Sequence, residues 1–224
     1  MYIVVINRNQ QEYVTPMIEA LRPAVPLFVF DRCMPVEGCN YVLNSEGEGF
    51  LAGRMRDLGA DGIDDDILFL DGDKAPMGDI VADIQSLKDR YDCICYGIDA
   101  DREHSEYRGF MRTDGADGIV PWQSEGFPYA YGCYSCGLWI SRKAVCEVRG
   151  LNGGRIFHPA FDGTWGDEDN FLADELDSLG FRIGYSTRVR LACEFGDCRQ
   201  KMDGYVQNFV KRIKLRKSLL GKNI

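Results

Sequence analysis

An α/β fold built on a mostly parallel, open sheet flanked by helices is predicted by three features of the 224-residue sequence. Short apolar runs rich in β-branched or aromatic residues recur through its first half, and stretches with helical apolar spacing separate them. Two of the runs also end in paired aspartates, and ligands of such sheets gather beyond the carboxyl ends of the strands.

The strand signals come in order as "YIVVI" from Tyr2, "LFVF" from Leu27, "DILFL" from Asp66 and "CICYGI" from Cys93. Runs that are apolar at successive positions suit strands covered on both faces. Between them, Thr15 and Pro16 read as a helix cap and a first-turn proline, and Gly49 to Leu58 and Met77 to Leu87 carry helical spacing. The opening "MYIVVINRN" has no basic leader and reads as a first strand rather than a signal peptide. No run approaches membrane-spanning length. With no Ser/Gly/Pro-rich linker, residues 1–200 are expected to form one domain, and residues 201–224 a basic amphipathic helix belonging to it.

Charge and cysteine usage narrow the setting. The formal charge is −9, yet Lys211 to Lys222 holds six basic residues and no acid, which leaves −15 on the rest of the chain. So acidic a body repels phosphate backbones and argues against a broad nucleic-acid footprint, although the tail keeps a DNA or RNA acceptor open. Tyr205, Phe209 and Ile213 are spaced four apart on that tail, which can lie on an anionic membrane surface or pack on the domain with a solvated basic face. Nine cysteines, an odd number, point to reduced thiols in a cytoplasmic compartment.

In "DILFLDGD" the strand ends at Leu70, and Asp71 and Asp73 emerge on a turn that Gly72 permits. Two hard oxygen ligands at one strand mouth suit Mg²⁺ or Mn²⁺; the same residues also make an ordinary polar turn. "CICYGIDAD" repeats the pattern at Asp99 and Asp101, so the motif does not select its own copy.

The surrounding segments select it by resemblance. A first strand ending in Asn7 and Arg8, a second ending in Asp31, "AGRMRDLG", the "DGD" strand and "FDGTWGDEDNFL" follow one another in an order similar to that of nucleotide-sugar glycosyltransferases of the GT-A fold. The likeness is to the inverting family of cellulose and chitin synthases, whose helix reads Ala-Arg-Asn-x-Gly, and to galactosyltransferases with Trp-Gly-x-Glu-Asp. Here Asp57 stands where the former has Asn. The resemblance implies that Asp31 contacts the nucleotide base, that Asn7, Arg8 and Arg56 hold base or diphosphate, and that Asp71 and Asp73 handle ribose and metal. It also implies that Asp169 is the base of an inverting transfer and that Glu168 orients the acceptor. Arg8 and Arg56 as surface arginines and Asp31 as a turn cap remain the plain structural alternatives.

"TWGDEDNFLADELDSLGF" reads as a helix with Phe171, Leu172, Leu176 and Leu179 on one stripe, closed by Gly180. Its first turn holds Asp167, Glu168 and Asp169, where the helix dipole favours the ionised carboxylate that a base requires. The histidine that many relatives place after this helix is missing, since His104 and His158 both precede it; Glu194, in "LACEFGDC", is the expected third metal ligand. Asp99 to Tyr131 has the charged, glycine-containing character of a lid or acceptor loop, in which Trp122 stacks on a sugar or packs on the core. Cys133-x-x-Cys136 lacks a second clear pair at zinc spacing.

The expected activity is a metal-dependent, inverting transfer from a UDP-linked sugar to a glycan or lipid-linked acceptor, with Mn²⁺ or Mg²⁺ as cofactor. A sugar-phosphate nucleotidyltransferase is the enzymatic alternative, but the glycine-rich, lysine-containing loop it requires is absent from "INRNQQEYV". A catalytically silent sugar- or nucleotide-binding scaffold is the other.

Overall fold

The computed structural model describes residues 1–7, 14–15, 17–18, 21, 27–31, 40–41, 52–99, 119–121, 136–162, 166–193 and 202–221. Its strands are β1 (Tyr2–Asn7), β2 (Leu27–Asp31), β3 (Asn40–Tyr41), β4 (Ile67–Asp71), β5 (Lys74–Pro76), β6 (Cys93–Asp99), β7 (Ile119–Pro121), β8 (Gly137–Ile140) and β9 (Ile183–Cys193). The helices are α1 (Ala52–Ala60), α2 (Ile80–Leu87), α3 (Arg142–Leu151), α4 (Glu168–Ser178) and α5 (Met202–Gly221).

One sheet runs in the order β3-β2-β1-β4-β8-β6-β9-β5, with β7 paired to β9. It is parallel from β3 to β4 and again between β6 and β9. β8 lies antiparallel between β4 and β6, and β5 and β7 are antiparallel to β9. The four strands read from the apolar runs, β1, β2, β4 and β6, all take part in parallel pairs. The antiparallel pairs come from β8, between β4 and β6, and from β5 and β7 on β9.

Side-chain alternation along β4 explains its unbroken apolar sequence. Ile67 and Phe69 join one core with α3 and α4, whereas Leu68 and Leu70 join the other with Ile80, Ile84 and Leu87 of α2. α2 starts at Asp79, whose side chain accepts from the Ala82 N–H at 2.9 Å, so Met77 stays outside the helix and is exposed. Val14 and Thr15 are both already helical, so Thr15 is not the cap that its sequence context predicts. On α4, Phe171, Leu172 and Leu176 are buried, while Leu179 sits past the last turn and is exposed; Gly180 follows at φ 78°, the left-handed stop.

α5 packs along α4 with Lys211 and Arg212 turned inward: Arg212 donates from Nε to Asp174 Oδ2 at 2.6 Å, and Lys211 Nζ donates to the Ala160 carbonyl at 2.8 Å. Among the described residues, no helix is long and apolar enough to cross a membrane.

α4 buries a further acid, Glu175, 1% exposed, whose Oε2 accepts from Asn152 Nδ2 at 3.0 Å. Burial pushes its carboxyl up to about 8, against the opposing bond from Asn152. The folded state thus retains a proton that the unfolded chain releases near pH ~4.3. Stability is fully present below that pH and is lost as pH rises toward about 8. Glu175→Gln preserves the acceptor without the charge. Thermal melts of this variant are expected to show a flatter pH dependence across that window and a higher Tm at its alkaline end, each kcal/mol appearing as about 2–4 °C; an unchanged slope counts against a protonated Glu175.

Candidate active site

The carboxyl ends of three adjacent strands meet at one edge of the sheet. Asn7 pairs with Asp31 across β1 and β2, and Ile6 pairs with Asp71 across β1 and β4. The turn after β4 is fixed from both sides, since the Asp71 N–H donates to the Cys136 carbonyl at 3.2 Å and the Gly72 N–H to the Ile6 carbonyl at 2.8 Å. Asp71 and Asp73 therefore leave the strand in a defined orientation. Lys74, only 6% exposed, follows at once and pairs with Asp73 Oδ2.

α1 carries the link to the second half of the site. Arg56 is 3% exposed, and its Nη2 donates to Asp71 Oδ1 at 2.5 Å while Nη1 donates to Glu168 Oε1 at 3.4 Å. One guanidinium thus joins the end of β4 to the first turn of α4. The helix approaches closely because residue 53 is glycine: a Cβ there would stand 3.1 Å from Phe157 Cβ and 3.4 Å from Glu168 Cγ. Asp57, one residue on, accepts from the Ile156 and Phe157 N–H groups at 2.8 and 3.1 Å and from Arg155 Nε at 2.7 Å. Three donors converge on it, which suits an acceptor-only carboxylate and gives a structural reason for Asp at this position.

Glu168 is buried, and its Oε2 has no hydrogen-bond partner among the described residues. Burial, with the nearby Asp169 charge adding to it, pushes the Glu168 carboxyl up, and Arg56 opposes the shift. Asp169 is half-buried and accepts from the Asn170 N–H at 2.8 Å. Asp167, at the start of the helix, has φ 66° and makes no side-chain cap bond; burial raises its carboxyl to about 6.

The chain matches no protein-family profile and no curated protein. Among solved structures, S. aureus TarS 1-349 in complex with UDP-GlcNAc is similar at a TM-score of 0.68 and 14% identity, over 97% of this chain and 66% of that one. A second structure of S. aureus TarS 1-349 gives 0.65 at 13% identity, over 98% and 65%. GalNAc-T7 with UDP, GalNAc and Mn²⁺ gives 0.58 at 12% identity, over 86% and 43%. The protein has the GT-A fold. Its chain spans just under two thirds of the TarS 1-349 length.

Within this GT-A sheet, Asn7, Asp31 and Asp71 lie at one edge, Asp73 follows in the next turn, and Arg56 ties Asp71 to Glu168, the neighbour of Asp169. Arg56 is 3% exposed, and each Nη donates one bond to a carboxylate, to Glu168 and to Asp71. Arg8, Glu194, Trp122, Trp165, Asp101, Cys133 and His104 lie outside the described residues. Cys136 is buried beside Asp71, and His158 caps the short 3-10 turn Pro159–Phe161 by accepting from the Ala160 N–H at 3.1 Å. Sequence reasoning missed Lys74 and Gly53; a lysine adjoining two aspartates was the available signal for the first, and nothing local distinguished the second.

Among the described residues no group of three His, Cys, Asp or Glu side chains forms a metal site. The two aspartates nevertheless fit a hard divalent cation, since Asp71 and Asp73 each commit one oxygen to Arg56 or Lys74 and keep the second outside those pairs.

Arg56→Met removes the positive charge between two enclosed carboxylates. Urea unfolding is expected to show a loss of about 3 kcal/mol, the low end for a broken buried pair because Asp71 keeps partial access to water. Arg56→Lys is expected to recover only part of it, since an ammonium cannot bridge both acids in the guanidinium's fixed geometry.

Proposed function

We propose that the protein is an inverting glycosyltransferase that moves a sugar from a UDP-linked donor to a hydroxyl of a glycan or lipid-linked acceptor. The observation carrying this reading is the Arg56 bridge from Asp71 to Glu168, which joins the donor-side and acceptor-side acids named by the family resemblance. Support also comes from the fold shared with a TarS structure that contains UDP-GlcNAc and a GalNAc-T7 structure that contains UDP and Mn²⁺.

Asp31, Asn7 and Arg8 bind the nucleotide, and Asp71 takes the ribose, held in orientation by Arg56. Asp73, with Asp71 and Glu194, would hold Mn²⁺ or Mg²⁺, which when bound neutralises charge accumulating on the leaving diphosphate. Asp169 accepts the acceptor's hydroxyl proton as that oxygen bonds to the anomeric carbon. The bond from that carbon to the diphosphate oxygen breaks on the opposite face, and its electron pair leaves with UDP. Glu168, whose burial favours the protonated form, donates a hydrogen bond that orients the acceptor.

Residues 1–200 and the helix that follows work in this reading as a single domain, and the odd cysteine number supports a cytoplasmic setting. Peripheral membrane contact narrows to the outward face of α5, where Val210, Ile213, Lys214 and Lys217 are exposed.

A thermal-shift screen of nucleotide sugars with and without Mn²⁺ is expected to show a higher Tm with a UDP-sugar, increased further by the metal. Slow release of sugar from that donor should vanish in Asp73→Ala; a wild-type protein that never releases sugar is a silent scaffold. Asp169→Asn should keep UDP affinity while transfer falls by roughly 10²–10⁴-fold, the usual worth of a general base, and a fully active variant removes Asp169 from the mechanism.

A further inference from the structure

The chain enters α4 through two successive left-handed residues, Gly166 at φ 89° and Asp167 at φ 66°. Asp167 is the only non-glycine residue with positive φ among the described residues. This turn sets the direction in which Glu168 and Asp169, the next two residues, leave the backbone. Aspartate tolerates the conformation better than most side chains, but the turn still needs external support to remain the ground state.

That support comes from α5. Asn208, fully buried, donates from Nδ2 to the Gly166 carbonyl at 3.1 Å. Arg212 grips Asp174 with two bonds, of 2.6 and 3.1 Å, and its Nη1 stands 3.7 Å from Asp167 Oδ1. Arg216 adds a second cation 3.5 Å from Asp174 Oδ1. The Asp167 and Asp174 side chains are wholly enclosed, so the guanidinium of Arg212 is the charge that allows both acids to stand one helical stretch from Glu168 and Asp169. On its own helix Asp167 otherwise meets the charges of Asp169 and Asp174 and one bond from Asn170 Nδ2 at 3.3 Å. Among the described residues, the bonds and ion pairs of Arg212 go to Asp174 and Asp167.

We propose that Arg212, assisted by Asn208, is a positioning residue of the transfer reaction: α5 straps the Gly166–Asp167 turn so that Glu168 and Asp169 meet the acceptor, and leaves donor binding untouched. The inference rests on the glycosyltransferase reading above. The basic character of this helix thereby gains a role distinct from attraction to an anionic surface. Lys214, exposed and outward, belongs to the other face.

The test compares the wild-type chain with Arg212→Lys, Asn208→Ala and, as an exposed control on the same helix, Ser218→Ala. Arg212→Lys keeps the charge and loses the two-pronged grip; Asn208→Ala leaves every buried charge paired, so at least one variant remains folded. Amide hydrogen exchange of the proteins without ligand is expected to accelerate by roughly tenfold or more at residues 168–171 and to stay unchanged at residues 67–70 of β4. With the best UDP-sugar, kcat should fall by roughly tenfold or more while the Kd for UDP stays within about twofold. Ser218→Ala should match wild type in all three. Exchange that rises equally in β4, or not at all, overturns the strap, as does full kcat with an opened turn. If the wild-type protein binds no nucleotide sugar, the transferase reading falls by itself and exchange alone decides: selective opening of 168–171 sustains the strap and any other pattern overturns it.

Discussion

The guanidinium of Arg56 holds two parts of the chain that have every electrostatic reason to separate. Asp71 ends a central strand and Glu168 begins a helix more than ninety residues later, and both are acids in a chain with a formal charge of −9. Bringing them together without a counter-charge would force protonation or expel one of them into water. A single 3%-exposed arginine links them, with one nitrogen for each acid, and opposes the rise that burial imposes on Glu168. Its own position depends on neighbours in α1: Gly53 allows the close approach, and Asp57 bolts the helix to the backbone at Ile156 and Phe157.

The same device recurs on the other side of α4. Arg212 does for Asp167 and Asp174 what Arg56 does for Asp71 and Glu168, so the acid-rich helix lies between two arginines supplied by α1 and α5. Glu175 has no such cation and holds a proton instead, with Asn152 as its partner. The difference is the cation: Asp167 and Asp174, no less enclosed, share Arg212, whereas Glu175 meets no arginine or lysine among the described residues.

Much of this was legible in the sequence because apolar runs and helix stops are local signals. The strands from Tyr2, Leu27, Asp66 and Cys93 lie where their runs place them, and Gly180 ends α4 as expected. β5 and β9 were not legible: "KAP" is too short and "IGYSTRVRLAC" too polar to announce strands, and they exist because they pair with each other and with β6. Asp71, Asp73, Glu168 and Asp169 could be named from motif order, yet their connection could not. The burial of Arg56 and its bonds to both Asp71 and Glu168 were also out of reach, because sequence gives a residue's type and spacing but not its exposure. The tail showed a similar gap, since its basic residues suggested an outward face and Lys211, Arg212 and Arg216 turn inward to acids and a carbonyl that lie far away in sequence.

The most direct measurement is a crystal structure of the protein soaked with its UDP-sugar and Mn²⁺, collected at a wavelength where manganese scatters anomalously. The account predicts an anomalous peak within coordination distance of Asp73, with the sugar's anomeric carbon lying between that ion and the Asp169 carboxylate and the Arg56 bridge intact. Manganese and nucleotide bound elsewhere on the molecule, or a sugar with Asp169 on the same side as the departing diphosphate, would contradict it.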